Sequence, residues 1–143
     1  MHASSPESVI DYLGGARLLG LSRKHDFSDV IQQGLPYRVL KYFSARVPID
    51  SHDLVRVLGT TKRSLYRHQE SGRLPPDVSD RLSRVARIMV LAGYVLEDPA
   101  EAQSWLVDKT EALGNKRPID LVVNDAGAER VRDLLMRMEY GVY

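Results

Sequence analysis

Lys62, Arg63, Ser64 and Arg67 fall within ten residues, LGTTKRSLYR (58 to 67), and the chemistry open to them is recognition of a polyanion. With Leu65 turned inward all four stay outside, where lysine or arginine can bond guanine O6 and N7 and a hydroxyl can reach a base or a phosphate. Thr60 and Thr61 place the start of the same helix near phosphate. Catalysis has no comparable signature. His2, His25, His52 and His68 are scattered without metal-ligand spacing, no glycine-rich phosphate loop is present, and there is no cysteine nucleophile. Asp77 and Asp80 sit at a helix start, where acids favour the positive end of the dipole. No catalytic residue, no metal site and no cofactor is expected, and the chain is not read as an enzyme. His68 is open to a DNA contact and equally to a half-buried surface position.

The elements that must position these side chains are two short helices and a turn. Ser51 is of N-cap type ahead of Asp53, Leu54, Val55 and Leu58. Gly59 ends that helix because it enters the left-handed region without a Cβ penalty. Thr60 is placed to cap the next helix, and Leu65 points back into the angle between the two. A plain antiparallel pair with a solvated basic face is the competing reading. The turn glycine, the cap, the inward leucine and the cationic face agree on a helix-turn-helix, and so on DNA.

Charge supports a division of labour. The 143 residues carry a net charge of only +1, yet residues 1–36 balance at −1, residues 37–94 at +6 and residues 95–143 at −4. The middle third attracts polyanions; the last third repels phosphate and suits a protein partner. A length of 143 residues and 43% hydrophobic content allow one core or two small ones. No apolar run approaches the roughly 20 residues that span a bilayer, and the N-terminus lacks a signal-peptide pattern. A cytoplasmic location without membrane contact is expected, and zero cysteines fit a reducing compartment.

Along the chain, residues 1–25 read as a loosely attached arm whose Arg17, Arg23 and Lys24 suit a solvated linker better than a phosphate contact. Residues 26–76 read as a compact unit of four short helices. Asp26 caps the first and Gly34 closes it; Pro36 starts the second and Pro48 ends it; helices over 51–58 and 60–71 complete the unit. Residues 77–143 begin with a longer helix in which Val78, Leu82, Val85, Met89, Ala92 and Leu96 form a heptad-like seam. The seam either closes an intramolecular core or pairs with a second copy, with too few heptads for a coiled coil. Arg81, Arg84 and Arg87 lie off it, open to phosphate or to solvent. Asp98, Pro99 and Glu101 start a further helix with Ala102, Trp105 and Leu106. Gly114 and Asn115 make a turn, and the cluster Ile119, Leu121, Val122 and Val123 after Pro118 is too short to classify. Asn124 caps a last helix with Ala128, Val131, Leu134, Leu135 and Met138 inside. The aromatic ending EYGVY is unusual for a fraying tail.

These residues resemble the Xre/MbcA/ParS-type antitoxins, partners of RES-domain toxins in bacterial type II toxin–antitoxin systems. The resemblance rests on GLPYRVL (34 to 40), LGTTKRSLYR, SDRLSRVARIMVLAGYVLED (79 to 98), AQSWL (102 to 106), ALGNKRPIDLV (112 to 122) and RMEYGVY (137 to 143), and covers the chain from about Asp26 onward. It departs at Gly114 and Asn115, where the family more often has Gly-Gly; asparagine tolerates the left-handed region, so the turn is expected to survive. It implies an all-α fold: an Xre-like helix-turn-helix half, then a small, mostly helical toxin-binding half. The first half would bind and repress the chain's own operon through Thr60, Thr61, Lys62, Arg63, Ser64 and Arg67, as a homodimer on operator DNA. The second would bind an NAD-consuming RES toxin through Trp105, Arg137, Glu139, Tyr140, Gly141, Val142 and Tyr143. The alternative is a stand-alone dimeric transcriptional regulator with a ligand- or protein-binding C-terminal domain.

Overall fold

Local capping chemistry fixes where most of the helices start. The computed structural model describes residues 8–141, and the elements among them are ten α-helices and one 3-10 turn. Two single-turn helices, α1 (Val9–Tyr12) and α2 (Ala16–Leu19), precede α3 (Phe27–Gln33) and α4 (Tyr37–Arg46). At the head of α3, Asp26 accepts from the Asp29 amide at 2.9 Å while Asp29 accepts from the Asp26 amide at 3.0 Å. Gly34 closes the helix with φ +95°, and a Cβ there would lie 2.0 Å from the Leu74 carbonyl oxygen. That close approach lets the Leu74 amide donate to the Leu35 carbonyl at 2.8 Å, stitching the corner between α3 and α4 to a distant loop.

The helix-turn-helix is α5 (Ser51–Val57) and α6 (Lys62–Ser71). Both of its caps stand one residue from the expected place. Asp50, in extended conformation, accepts from the Asp53 amide at 2.7 Å, and Ser51 is already the first helical residue. Thr60 instead closes the preceding helix, its amide donating to the Val55 carbonyl at 3.0 Å, and Thr61 caps α6 by accepting from the Ser64 amide at 3.1 Å. Each site holds two adjacent residues of capping type, and only the backbone path decides between them. Gly59 does close α5, at φ +64°.

Helix α7 (Pro76–Leu96) spans roughly 30 Å at 1.5 Å per residue and is the axis of the fold. It packs against α1, α3 and α5 and, from the other half, against α8 (Pro99–Val107) and α10 (Asp125–Glu139). Val78, Leu82, Val85, Met89 and Ala92 of the seam are buried, and so are Ser79, Ser83, Ala86 and Ile88 beside it. Of the two uses open to the seam, the fold takes the intramolecular one. Buried Ser79 is satisfied by accepting from the Leu35 amide at 2.8 Å. One continuous hydrophobic cluster runs from Tyr12 to Leu135, so the described residues share a single core.

Much of the segment expected as a loose arm, residues 9–21, is docked, while residues 22–26 and the side chain of Arg17 are exposed. Tyr12, Leu13 and Leu19 are buried, α1 packs on α7, and the Arg46 guanidinium lies 3.9 Å from the Tyr12 ring centroid. An apolar stripe of three residues was too short to signal this. Residues 1–7 lie outside the described part.

Beyond α7, Asp98 caps α8 by accepting from the Ala100 amide at 2.9 Å. The Gln103 side chain of α8 donates to the Arg46 carbonyl at 2.5 Å. A 3-10 turn (Glu111–Leu113) leads to Gly114 and Asn115 at φ +70° and +61°, so asparagine does sustain the turn. The unclassified apolar cluster begins as a single helical turn, α9 (Pro118–Leu121), with Pro118 in the first position. Asn124 caps α10 by accepting from the Gly127 amide at 2.7 Å. Among the described residues no helix is long and apolar enough to cross a membrane.

Candidate functional site

The exposed start of α6 gathers the cationic residues singled out in the sequence. Leu65 is 8% exposed and anchors the helix, while Lys62, Arg63 and Arg67 are exposed and Ser64 and Thr60 are half-buried. Thr61, Ser64 and Arg67 form a local chain: the Thr61 hydroxyl donates to Ser64 Oγ at 3.1 Å, and Arg67 Nη2 donates to the same oxygen at 3.1 Å. Ser64 is thereby used to hold Thr61 and Arg67 in place. Sequence reasoning missed Tyr66, which is 63% exposed. It lies four residues after Lys62 and three after Arg63, helical spacing that puts it on their face. His68 is half-buried.

The arginine flank of α7 is largely engaged. Arg81 lies against Gly59, 3.3 Å from the Asp77 carboxylate, and Arg84 pairs with Asp125 at 2.7 Å; Arg87 is exposed.

A second polar cluster joins the two halves. Arg117, just before α9, donates to both oxygens of Asp53 at 2.9 Å each, and to Asp120 at 2.8 and 3.1 Å. Arg56 of α5 bridges the same two acids, donating to Asp120 and, at 3.4 Å, to Asp53. Hydrogen bonding from Arg117 is the largest influence on both acids. It holds the Asp53 carboxyl below the usual range and brings Asp120 down to about 2. Arg117 is shifted upward in turn, first by Asp53. In the sequence Asp53 was legible only as a residue of a short helix. The Arg-Pro-Ile-Asp run was a signal, but nothing in the chain order says that it meets α5.

The residues expected to bind a protein partner stand on two elements. Trp105, half-buried on α8, lines an open groove of about 480 Å³ with Leu96, Ala100, Glu101, Ser104 and Asp108. Arg137 is exposed and Glu139 half-buried on the last turn of α10. Tyr140 follows at 71% exposure, and Gly141 turns the chain at φ +67°. Val142 and Tyr143 lie outside the described residues.

Residues 26–87 match the family described as the antitoxin Xre-like helix-turn-helix domain, and residues 91–141 match the antitoxin Xre/MbcA/ParS C-terminal toxin-binding domain. An antitoxin Xre of Yersinia enterocolitica is 31% identical over 131 residues, covering 89% of this chain and 88% of its own length. The chain belongs to the Xre/MbcA/ParS antitoxin family. The antitoxin is also similar to an antitoxin Xre of Photorhabdus laumondii, 26% identical over 79% of this chain and 78% of the relative. A third similarity, to an antitoxin Xre of Pseudomonas putida, is 29% identity over 62% of this chain and 54% of the relative. The two matched regions meet inside α7, so the DNA-binding and toxin-binding domains of this antitoxin share one helix and one core. Its partner classes are accordingly DNA and a toxin.

Proposed function

We propose that the antitoxin neutralises a RES-domain, NAD-consuming toxin through its C-terminal half and represses its own operon through α6. The observation that carries the reading is the exposed, cationic start of α6, held by its cap and by Leu65, on the same core as a toxin-binding domain.

In this reading Lys62, Arg63, Arg67 and Tyr66 face the major groove, and Thr60, Thr61 and Ser64 keep the helix start beside the phosphates. A two-fold homodimer offers two such helices about 34 Å apart to an inverted repeat in the operator. The toxin is held by Trp105 and by Arg137, Glu139, Tyr140, Gly141, Val142 and Tyr143. The acidic, aromatic terminus enters the positively charged mouth of an NAD pocket, which leaves the chemistry of NAD to the partner and none to this chain. Both partners are met in the cytoplasm.

The experiment is co-expression of the chain with the product of its adjacent gene, scoring growth and cellular NAD. Growth arrest and NAD loss that the chain reverses support the reading. A harmless neighbour sinks it in favour of a stand-alone regulator.

A further inference from the structure

The two halves of the antitoxin are joined by more than the shared helix. Asp53 and Arg56 belong to α5, the first helix of the helix-turn-helix; Arg117 and Asp120 lie in the toxin-binding domain, 64 residues away in sequence. Asp53 is 5% exposed, one of three buried polar or charged residues among those described. A carboxylate at that depth depends on its partner. Arg117 meets it with a planar fork, two bonds of 2.9 Å to Asp53 and further bonds of 2.8 and 3.1 Å to Asp120. A fork gripping both oxygens of a carboxylate fixes rotation as well as distance, which a single bond does not.

The far end of α6 is tied to the head of α4, where the Tyr37 amide donates to the Gly72 carbonyl at 3.0 Å, but its cationic start is placed by α5. The two are adjacent across a tight turn, and only Leu65 of α6 is buried. Reading bases demands that α6 hold its side chains to within about 0.5 Å of the productive geometry. Attraction to phosphate carries no sequence information and tolerates much looser placement.

We propose that Arg117, with Asp120, is a positioning residue for operator recognition: from within the toxin-binding half it holds α5, and through α5 it sets the angle at which α6 meets the groove. The inference rests on the operator reading above. The quartet's place between the halves puts sequence-specific DNA binding under the control of residues that belong to the toxin-binding domain.

The test uses the full chain and fluorescence anisotropy with two labelled duplexes, one spanning the region upstream of its own gene and one a scramble of the same length and composition. For Arg117→Ala the affinity for the upstream duplex falls about ten-fold or more while affinity for the scramble stays within about two-fold, because the cations of α6 are untouched. Arg117→Lys, which keeps the charge without the fork, falls between the two. Thermal melts by circular dichroism establish that each variant is folded at the assay temperature. Should Arg117→Ala unfold, Asp120→Asn takes its place, since it loosens the anchor without stranding Asp53; the upstream affinity then drops by a smaller factor, again with the scramble unchanged. A folded variant that keeps the wild-type ratio of the two affinities overturns the inference, as does an equal loss on both duplexes. A wild-type chain that binds both duplexes alike overturns the operator reading instead.

Discussion

Gly127 and Gly93 are both helical glycines, and the same substitution is expected to act on them with opposite sign. At Gly127 of α10 an added Cβ would sit 1.8 Å from the Leu121 carbonyl oxygen and 2.7 Å from its carbon. That is short of van der Waals separation by about 1.5 Å, and the obstacle is backbone at the end of α9, which has no rotamer to change. Alanine gains about 1 kcal/mol of helix propensity over glycine, whereas overpacking against a fixed wall costs about 3 kcal/mol, so Gly127→Ala is expected to lose about 2 kcal/mol. For a chain of this size that is a fall in Tm of about 6 °C. At Gly93, inside α7, nothing lies within 4 Å of the added Cβ. Gly93→Ala therefore keeps the propensity gain and stabilises by about 0.5 to 1 kcal/mol. Urea titration followed by circular dichroism reads both as changes of midpoint at constant m value. A Gly127→Ala variant as stable as the wild type would refute the claim that α9 and α10 meet backbone to backbone. The effect bears on function because α9 is the element that Arg117 introduces.

Three further outcomes follow from the same geometry. Asp53 and Asp120 titrate below their unfolded value of about 3.9, so the stability they confer is complete above about pH 4 and is lost as pH falls toward about 2, where Asp120 itself protonates. With Asp120 partly solvated its share is about 1 kcal/mol, and the stability gap between wild type and Asp120→Asn should close across that window; a gap unchanged at pH 2 contradicts the assigned pairing. Replacing Lys62, Arg63 and Arg67 together by alanine should abolish operator binding while toxin binding persists. Any residual affinity should lose about 0.9 of log–log salt slope per phosphate contact removed, and simultaneous loss of both functions would point to a shared surface. Deleting residues 139–143 should leave DNA binding intact and abolish neutralisation in the co-expression assay; full neutralisation by the truncated chain removes the terminus from the toxin interface.

Much of the helix-turn-helix was legible because its signals are local. Gly59 at positive φ, Leu65 turned inward and, in an earlier helix, Asp26 capping α3 each act within a few residues, and each is found where the sequence placed it. The caps at Asp50 and Thr61 slipped by one residue because Asp50 precedes Ser51 and Thr60 precedes Thr61, and side-chain chemistry alone ranks each pair nearly equally. The docked N-terminal segment was not legible: Tyr12 and Leu13 owe their burial to α7 and Arg46, far along the chain.

By itself, then, the sequence determined the longer helices from α3 to α8 and α10, most of their ends, the division of charge and the cationic face of α6, since these depend on neighbours within one or two turns. The tertiary structure alone decided that α7 is buried on two faces in one core, that Arg81 is engaged at the turn after α5, and that Arg117 and Asp120 close on Asp53 and Arg56. The last of these joins residues 64 positions apart, and an ion pair at that separation is set by how helices pack rather than by anything an isolated segment prefers.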